Sequence, residues 1–158
     1  TSDKLSYTRP TTGLEAKFSM QYTVTRMIQD GALSLDTFTD SWVNDPKIQA
    51  FIPKIEMYHD EEAERKWRMG SRPADMHVTL KDGRKINKLV KISKGNKEVP
   101  LSFDELRNKF RDCARLCIND ESTEKAISQI DNIESLKSIS ELAGTLSRRK
   151  EAISTAAE

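Results

Sequence analysis

The sequence predicts an α+β fold: a small antiparallel sheet packed against helices, followed by C-terminal helices. Three observations predict it. Residues 76–92 alternate apolar and polar around Lys81-Asp82-Gly83-Arg84, the pattern of a hairpin. Residues 14–29 and 102–118 carry apolar side chains at helical spacing behind capping signals. Beyond them, apolar stripes recur every three or four residues to about Leu146.

Taken in order, residues 1–13 read as a loop, rich in Ser and Thr with Pro10 and Gly13. Thr12 and Glu15 have capping-box spacing, so a helix is expected from Leu14 to about Gln29, stopped by Gly31. Leu14, Phe18, Met20, Val24, Met27 and Ile28 cover most of its circumference, which predicts burial on several sides. Glu15, Ser19, Tyr22 and Arg26 form the narrow polar strip that remains. Ser34 is placed to cap a helix carrying Leu35, Phe38 and Trp42, with Trp42 in the core. Asp45 and Pro46 start another short helix, with Ile48 and Phe51. Ile55 and Met57 alternate with Lys54, Glu56 and Tyr58 as a strand would. The charged run 60–73 reads as a loop or partial helix, with Trp67 on the surface.

In the hairpin, a two-residue turn would put Ile86 opposite the wrong face. A three-residue loop, Lys81-Asp82-Gly83 with Gly83 left-handed, pairs Leu80 with Arg84 and Val78 with Ile86. Ser102 and Glu105 make a second capping box, and Leu106, Phe110, Cys113, Ala114 and Cys117 line one face of the helix they start. Both cysteines read as small core hydrophobes. The organisation expected is a loop over 1–13, an α+β domain over 14–118, C-terminal helices over 119–146 and a fraying tail over 147–158.

Composition narrows the function classes. Of 158 residues 36% are hydrophobic and 32% charged, against averages of about 45–50% and 25%. Such a chain has a small core or one completed by something else. A net charge of +1 argues against nucleic-acid binding by a basic surplus. A mean hydropathy of −0.66 and the lack of a long apolar run argue against a membrane partner. With no leader pattern and two cysteines, a cytoplasmic location is expected. Cys113 and Cys117 are one helical turn apart, but His59 and His77 lie far from them in sequence, so no metal site is expected. The two histidines read as surface residues. Ser19 and Tyr22 share a helix face, and a buried tyrosine hydroxyl there needs a partner.

The run Gly13-Leu14-Glu15-Ala16-Lys17-Phe18-Ser19-Met20-Gln21-Tyr22 resembles the signature of the MmgE/PrpD family. The likeness continues through Asp30-Gly31, Phe38-Thr39-Asp40, Asp45 to Gln49, Val78 to Gly83, and Leu101-Ser102 to Lys109-Phe110. The family includes 2-methylcitrate dehydratases of propionate metabolism, cis-aconitate decarboxylases and an iminodisuccinate epimerase. The resemblance covers the C-terminal third of such proteins: most of a lid domain, then helices that return to a large helical domain. It implies a lyase or isomerase, 2-methylcitrate dehydratase-like, that removes a proton next to a carboxylate on a small di- or tricarboxylic acid, without cofactor. It also implies that Tyr22 is the catalytic candidate, with Ser19 and Lys17 toward the substrate carboxylates. At helical spacing Lys17 points about 140° from Tyr22, which suits an ion pair better unless the helix begins late. The implied partners are the helical domain or a second copy of the chain. The other expectation is a fragment or paralogue that binds or assembles without chemistry of its own.

Overall fold

A computed structural model describes residues 6–61 and 73–147. The chain divides into two compact units, residues 1–101 and 102–158. The α+β class holds, with a two-stranded antiparallel sheet followed by C-terminal helices. The expectations for Trp67 and for residues 148–158 lie outside the described residues.

In the first unit the expected helix 14–29 is two helices, α1 (Gly13–Ala16) and α2 (Met20–Asp30). Ser19 makes the break. Its backbone is extended and its Oγ accepts the Tyr22 N–H at 3.1 Å. A serine that caps the next turn competes with continuing the previous one. Thr12 does cap α1, accepting the Glu15 N–H at 3.3 Å. The Glu15 carboxylate accepts chiefly from the Thr11 N–H and hydroxyl, at 2.7 and 3.0 Å. These bonds hold it below the ordinary carboxylate range. Gly31 ends α2 as expected, at φ +74°.

Residues 34–42 are likewise not one helix. A 3₁₀ turn, Leu35–Phe38, passes through extended Thr39 into α3 (Asp40–Val43). Asp45 caps α4 (Pro46–Phe51), accepting the Lys47 N–H at 2.7 Å, with Pro46 at its start. The expected strand at Ile55–Tyr58 is absent. Ile55 and Met57 are half-buried while Glu56 and Tyr58 are exposed, so the alternation records burial, but among the described residues no strand pairs with it.

The core of this unit is Ala16, Tyr22, Val43, Ile48 and Ile52, with Phe38 packed against it. Trp42 is not in that core: it is 45% exposed, and the Arg26 guanidinium lies 4.5 Å over its ring. The sequence segments that carry the family resemblance meet here. The Gly13 N–H donates to Asp40 Oδ1 at 2.7 Å, and a Cβ at Gly13 would stand 2.0 Å from the Phe38 carbonyl oxygen. Gln49 Nε2 donates to the Pro10 and Val43 carbonyls, both at 2.9 Å. Asn44 Nδ2 donates to the Thr11 carbonyl at 2.8 Å. Residues 9–13 are therefore a strap pinned by polar side chains of α3 and α4.

The hairpin has the expected register. Strand β1 (Ala74–Thr79) pairs with β2 (Lys85–Val90), Val78 opposite Ile86. Leu80 and Arg84 close the loop, the Leu80 N–H donating to the Arg84 carbonyl at 2.8 Å, and Gly83 has φ +86°. Packing against helices is where the hairpin departs from expectation: every strand residue except half-buried Val78 is exposed.

The second unit holds α5 (Phe103–Ala114), α6 (Asp120–Asp131) and α7 (Ile139–Leu146). The capping box forms: Glu105 N–H donates to Ser102 Oγ at 3.2 Å and Ser102 N–H to Glu105 Oε2 at 2.9 Å. Arg107 reaches Asp131 at 2.9 Å, and Arg111 grips both Glu124 oxygens at 2.6 and 2.9 Å, tying α5 to α6. Buried apolar side chains are Ile118, Ala126, Ile127 and Leu142. Residues of α5 are none of them buried, and Cys113 and Cys117 are exposed thiols, not core residues. Charged bridges, more than burial, join α5 to its neighbour.

Candidate functional site

The site residues expected from the sequence fall at the junction of α1 and α2. Lys17 is exposed at the end of α1, and Ser19 and Tyr22 are fully buried. Because α2 begins late, Ser19 and Tyr22 do not share an outward helix face. Ser19 is the cap and Tyr22 stands in the first turn above it. The Tyr22 hydroxyl donates to the Thr37 backbone carbonyl, and its ring packs 6.0 Å from that of Phe38 at 54°. Burial pushes the Tyr22 hydroxyl above its ordinary value, opposed by Arg26 and aided by Asp30 and Asp45.

The polar strip turns inward. Helix α2 buries Gln21, Tyr22, Thr25 and Arg26. Its apolar residues face out: Leu14 of α1 is 69% exposed, with Phe18, Met27 and Ile28 also exposed. The expectation of burial on several sides is corrected by this orientation. Arg26 bridges Asp30 at 2.6 Å. Among the described residues Gln21 Oε1, Thr25 Oγ1 and Arg26 Nε are buried without hydrogen-bond partners. Gln21 and Thr25 were missed by sequence reasoning. Their signal was position beside Tyr22 on the polar side, which periodicity assigns to water by default.

Among the described residues no group of three or more His, Cys, Asp or Glu is placed to hold a metal ion. His77 sits on the hairpin between Asn87, at 3.0 Å, and Asp75, at 3.3 Å. No helix of the described residues is long and apolar enough to cross a membrane.

The sequence profile of the MmgE/PrpD C-terminal domain matches residues 2–135. The chain belongs to the MmgE/PrpD family. Cis-aconitate decarboxylase of Mus musculus is 27% identical over 132 residues, covering 84% of this chain and 27% of that protein. Cis-aconitate decarboxylase of Homo sapiens is 27% identical over 137 residues, covering 87% of this chain and 28% of that protein. The chain thus spans little more than a quarter of the length of these curated relatives. For an MmgE/PrpD chain, the strap, α1 and the cap of α2 are the parts of the resemblance that lie around Tyr22.

Proposed function

We propose that this chain is the lid part of an MmgE/PrpD-type lyase or isomerase, working with a helical domain of the kind found in its family. The reaction is proton abstraction next to a carboxylate on a small di- or tricarboxylic acid, in a cytoplasmic enzyme. 2-Methylcitrate dehydration is one form of it. Cis-aconitate decarboxylation, the activity named for both relatives, is another.

The observation that carries this reading is the assembly around Tyr22. Three separate stretches of the family resemblance fix one phenol in one place through Gly13, Asp40, Gln49 and the Ser19 cap. Raised above its ordinary value, that phenol keeps its proton at neutral pH and can donate it, or a hydrogen bond, to a developing enolate. To do so it exchanges the Thr37 carbonyl for substrate. Lys17, outside the core, is the candidate for a substrate carboxylate. The exposed Leu14, Phe18, Met27 and Ile28 give the helical domain, or a second copy, an apolar face to cover.

The test is turnover by the complete polypeptide on 2-methylcitrate, cis-aconitate and iminodisuccinate, with Tyr22→Phe beside it. The substitution keeps the ring and deletes the hydroxyl. A catalytic hydroxyl predicts a loss of about 10²-fold or more in kcat and kcat/KM together. Near-normal turnover with a lowered Tm would reject the role. A second reading, a binding or assembly module without chemistry, is favoured by one fact: the hydroxyl is wholly buried and already bonded. Absence of turnover on all three acids by a folded complete polypeptide would support it.

A further inference from the structure

Tyr22, Arg26 and Asp30 follow one another along α2 at intervals of four residues, so they lie on one side of the helix, a turn apart. Tyr22 is fully buried, Arg26 is 4% exposed, and Asp30 ends the helix at the solvent. Two contacts hold the Arg26 guanidinium. Its Nη2 meets Asp30 Oδ2 at 2.6 Å, and its carbon lies 4.5 Å from the centre of the Trp42 ring. Its Nε is buried without a partner among the described residues. Neither contact accounts for burying the charge. The Asp30 side chain is 39% exposed, so water screens the pair, and the Trp42 ring is half in water too. A buried cation is unfavourable unless it is paired and fully hydrogen-bonded. What distinguishes Arg26 is its place, one turn from the Tyr22 phenol in a medium of low dielectric, where a cation attracts any negative charge that forms near it.

The groups around the phenol come from several elements. Helix α2 supplies Arg26 and Asp30, and the cap of α4 supplies Asp45. The 3₁₀ turn supplies the uncharged Thr37 carbonyl and the Phe38 ring, and the core residues Ala16, Val43, Ile48 and Ile52 are apolar. Burial raises the phenol's value most, Arg26 opposes it, and Asp30 and Asp45 add to it. We propose that Arg26 is a positioning residue that acts through Tyr22: its buried guanidinium steadies the negative charge left on the phenol oxygen when the proton leaves, and Asp30 limits that effect. The inference rests on the reading of Tyr22 as proton donor. In that step the Tyr22 O–H bond breaks, the proton passes to the substrate enolate, and the electron pair stays on the phenol oxygen.

The experiment places 3,5-difluorotyrosine at position 22 of the complete polypeptide and follows its fluorine NMR signal against pH. The fluorines make the phenol more acidic, so it titrates before alkali unfolds the protein, and the signal reports this residue alone. Arg26→Gln removes the cation and should raise the midpoint. Asp30→Asn removes the counter-charge and should lower it. Both break the same ion pair, so a merely structural pair would loosen, admit water and lower the midpoint in both variants. An unchanged or lowered midpoint in Arg26→Gln overturns the proposal, as does an unchanged or raised one in Asp30→Asn. Should Arg26→Gln not fold, Arg26→Lys decides. It keeps the charge without the planar fork and should hold the parent midpoint, whereas a fall overturns the proposal. In turnover without fluorine, Arg26→Gln should lower kcat about 10-fold with KM unchanged. An unchanged kcat in an active polypeptide overturns the proposal even where the midpoint moves. The titration is read without turnover. If the midpoints move as expected and the parent polypeptide turns over none of the acids named above, the assigned reaction fails and the coupling of Arg26 to Tyr22 stands.

Discussion

Gly13→Ala is the sharpest perturbation this fold offers. Gly13 begins α1 against the end of the 3₁₀ turn. A methyl group there would lie 2.0 Å from the Phe38 oxygen, 2.8 Å from its carbonyl carbon and 3.3 Å from the Thr39 Cα. All three are backbone atoms, so no side chain can swing aside. Restoring ordinary contact, at about 3.5–4.0 Å, requires the strap to part from residues 38–39. That movement stretches the 2.7 Å bond from Gly13 N–H to the Asp40 carboxylate. Overpacking costs about 1–3 kcal/mol and a weakened bond to a charged acceptor about 1.5–3 kcal/mol. Alanine's helical advantage returns about 0.5–1 kcal/mol. The net expectation is a loss of about 1.5–5.5 kcal/mol. Gly31→Ala is the comparison: φ is +74° and nothing lies within 4 Å of the new Cβ, so only backbone strain of about 1–2 kcal/mol applies. Urea unfolding gives both values as shifts in midpoint at constant slope. If Gly13→Ala cost no more than Gly31→Ala, the close approach of strap and turn would be refuted.

Ser19→Ala removes the cap of α2 and should cost about 0.5–2 kcal/mol in the same assay. On the proposed function, a purely capping Ser19 leaves the KM of the complete polypeptide unchanged, whereas a substrate-binding one raises it. Glu15 is held below the ordinary carboxylate value of 4.5 by Thr11. Its contribution is therefore present above that value and is lost as pH falls through the lower folded-state value, and Glu15→Gln should flatten the acid limb of a stability–pH curve. Tyr22 has the opposite sign. Its folded-state value lies above 10.0, so its contribution is complete below pH 10 and is lost as pH rises through the folded-state value. Tyr22→Phe should flatten the alkaline limb, and ultraviolet titration should show one phenol ionising late.

What the sequence reveals of this fold is mostly local. Gly31, Asp45-Pro46, the Ser102/Glu105 box and the three-residue hairpin loop all act through backbone geometry within a few residues, and each is found where expected. The errors arise where an equally local signal has two uses. Ser19 is tolerable on a helix surface and effective as a cap, and only the turn that packs above it selects the cap. Ile55 and Met57 alternate as a strand does, but a strand needs a partner, which no window of sequence supplies. Cys113 of α5 and Cys117 just beyond it sit on an apolar stripe, yet this unit buries too little to enclose them. For the site, Tyr22 and Ser19 were legible through the family resemblance, whereas Gln21 and Thr25 were not. Their importance lies in burial.

The orientation of α2 carries the remaining argument. Periodicity finds two faces but does not say which one the rest of the chain will cover. Here the choice follows from what the polar face can bond to. Tyr22 reaches the Thr37 carbonyl and Arg26 stacks on Trp42, both groups outside α2. Turning the helix over would bury Met27 and Ile28 but leave those groups to be satisfied elsewhere. The opposite face keeps Leu14, Phe18, Met27 and Ile28 in water at a cost in apolar exposure. On the proposed reading, the outward apolar side chains are there to be covered by a further layer. On the proposed reading the covering layer is the helical domain, and Met27→Asp or Ile28→Asp should then destabilise the complete polypeptide far more than this chain alone.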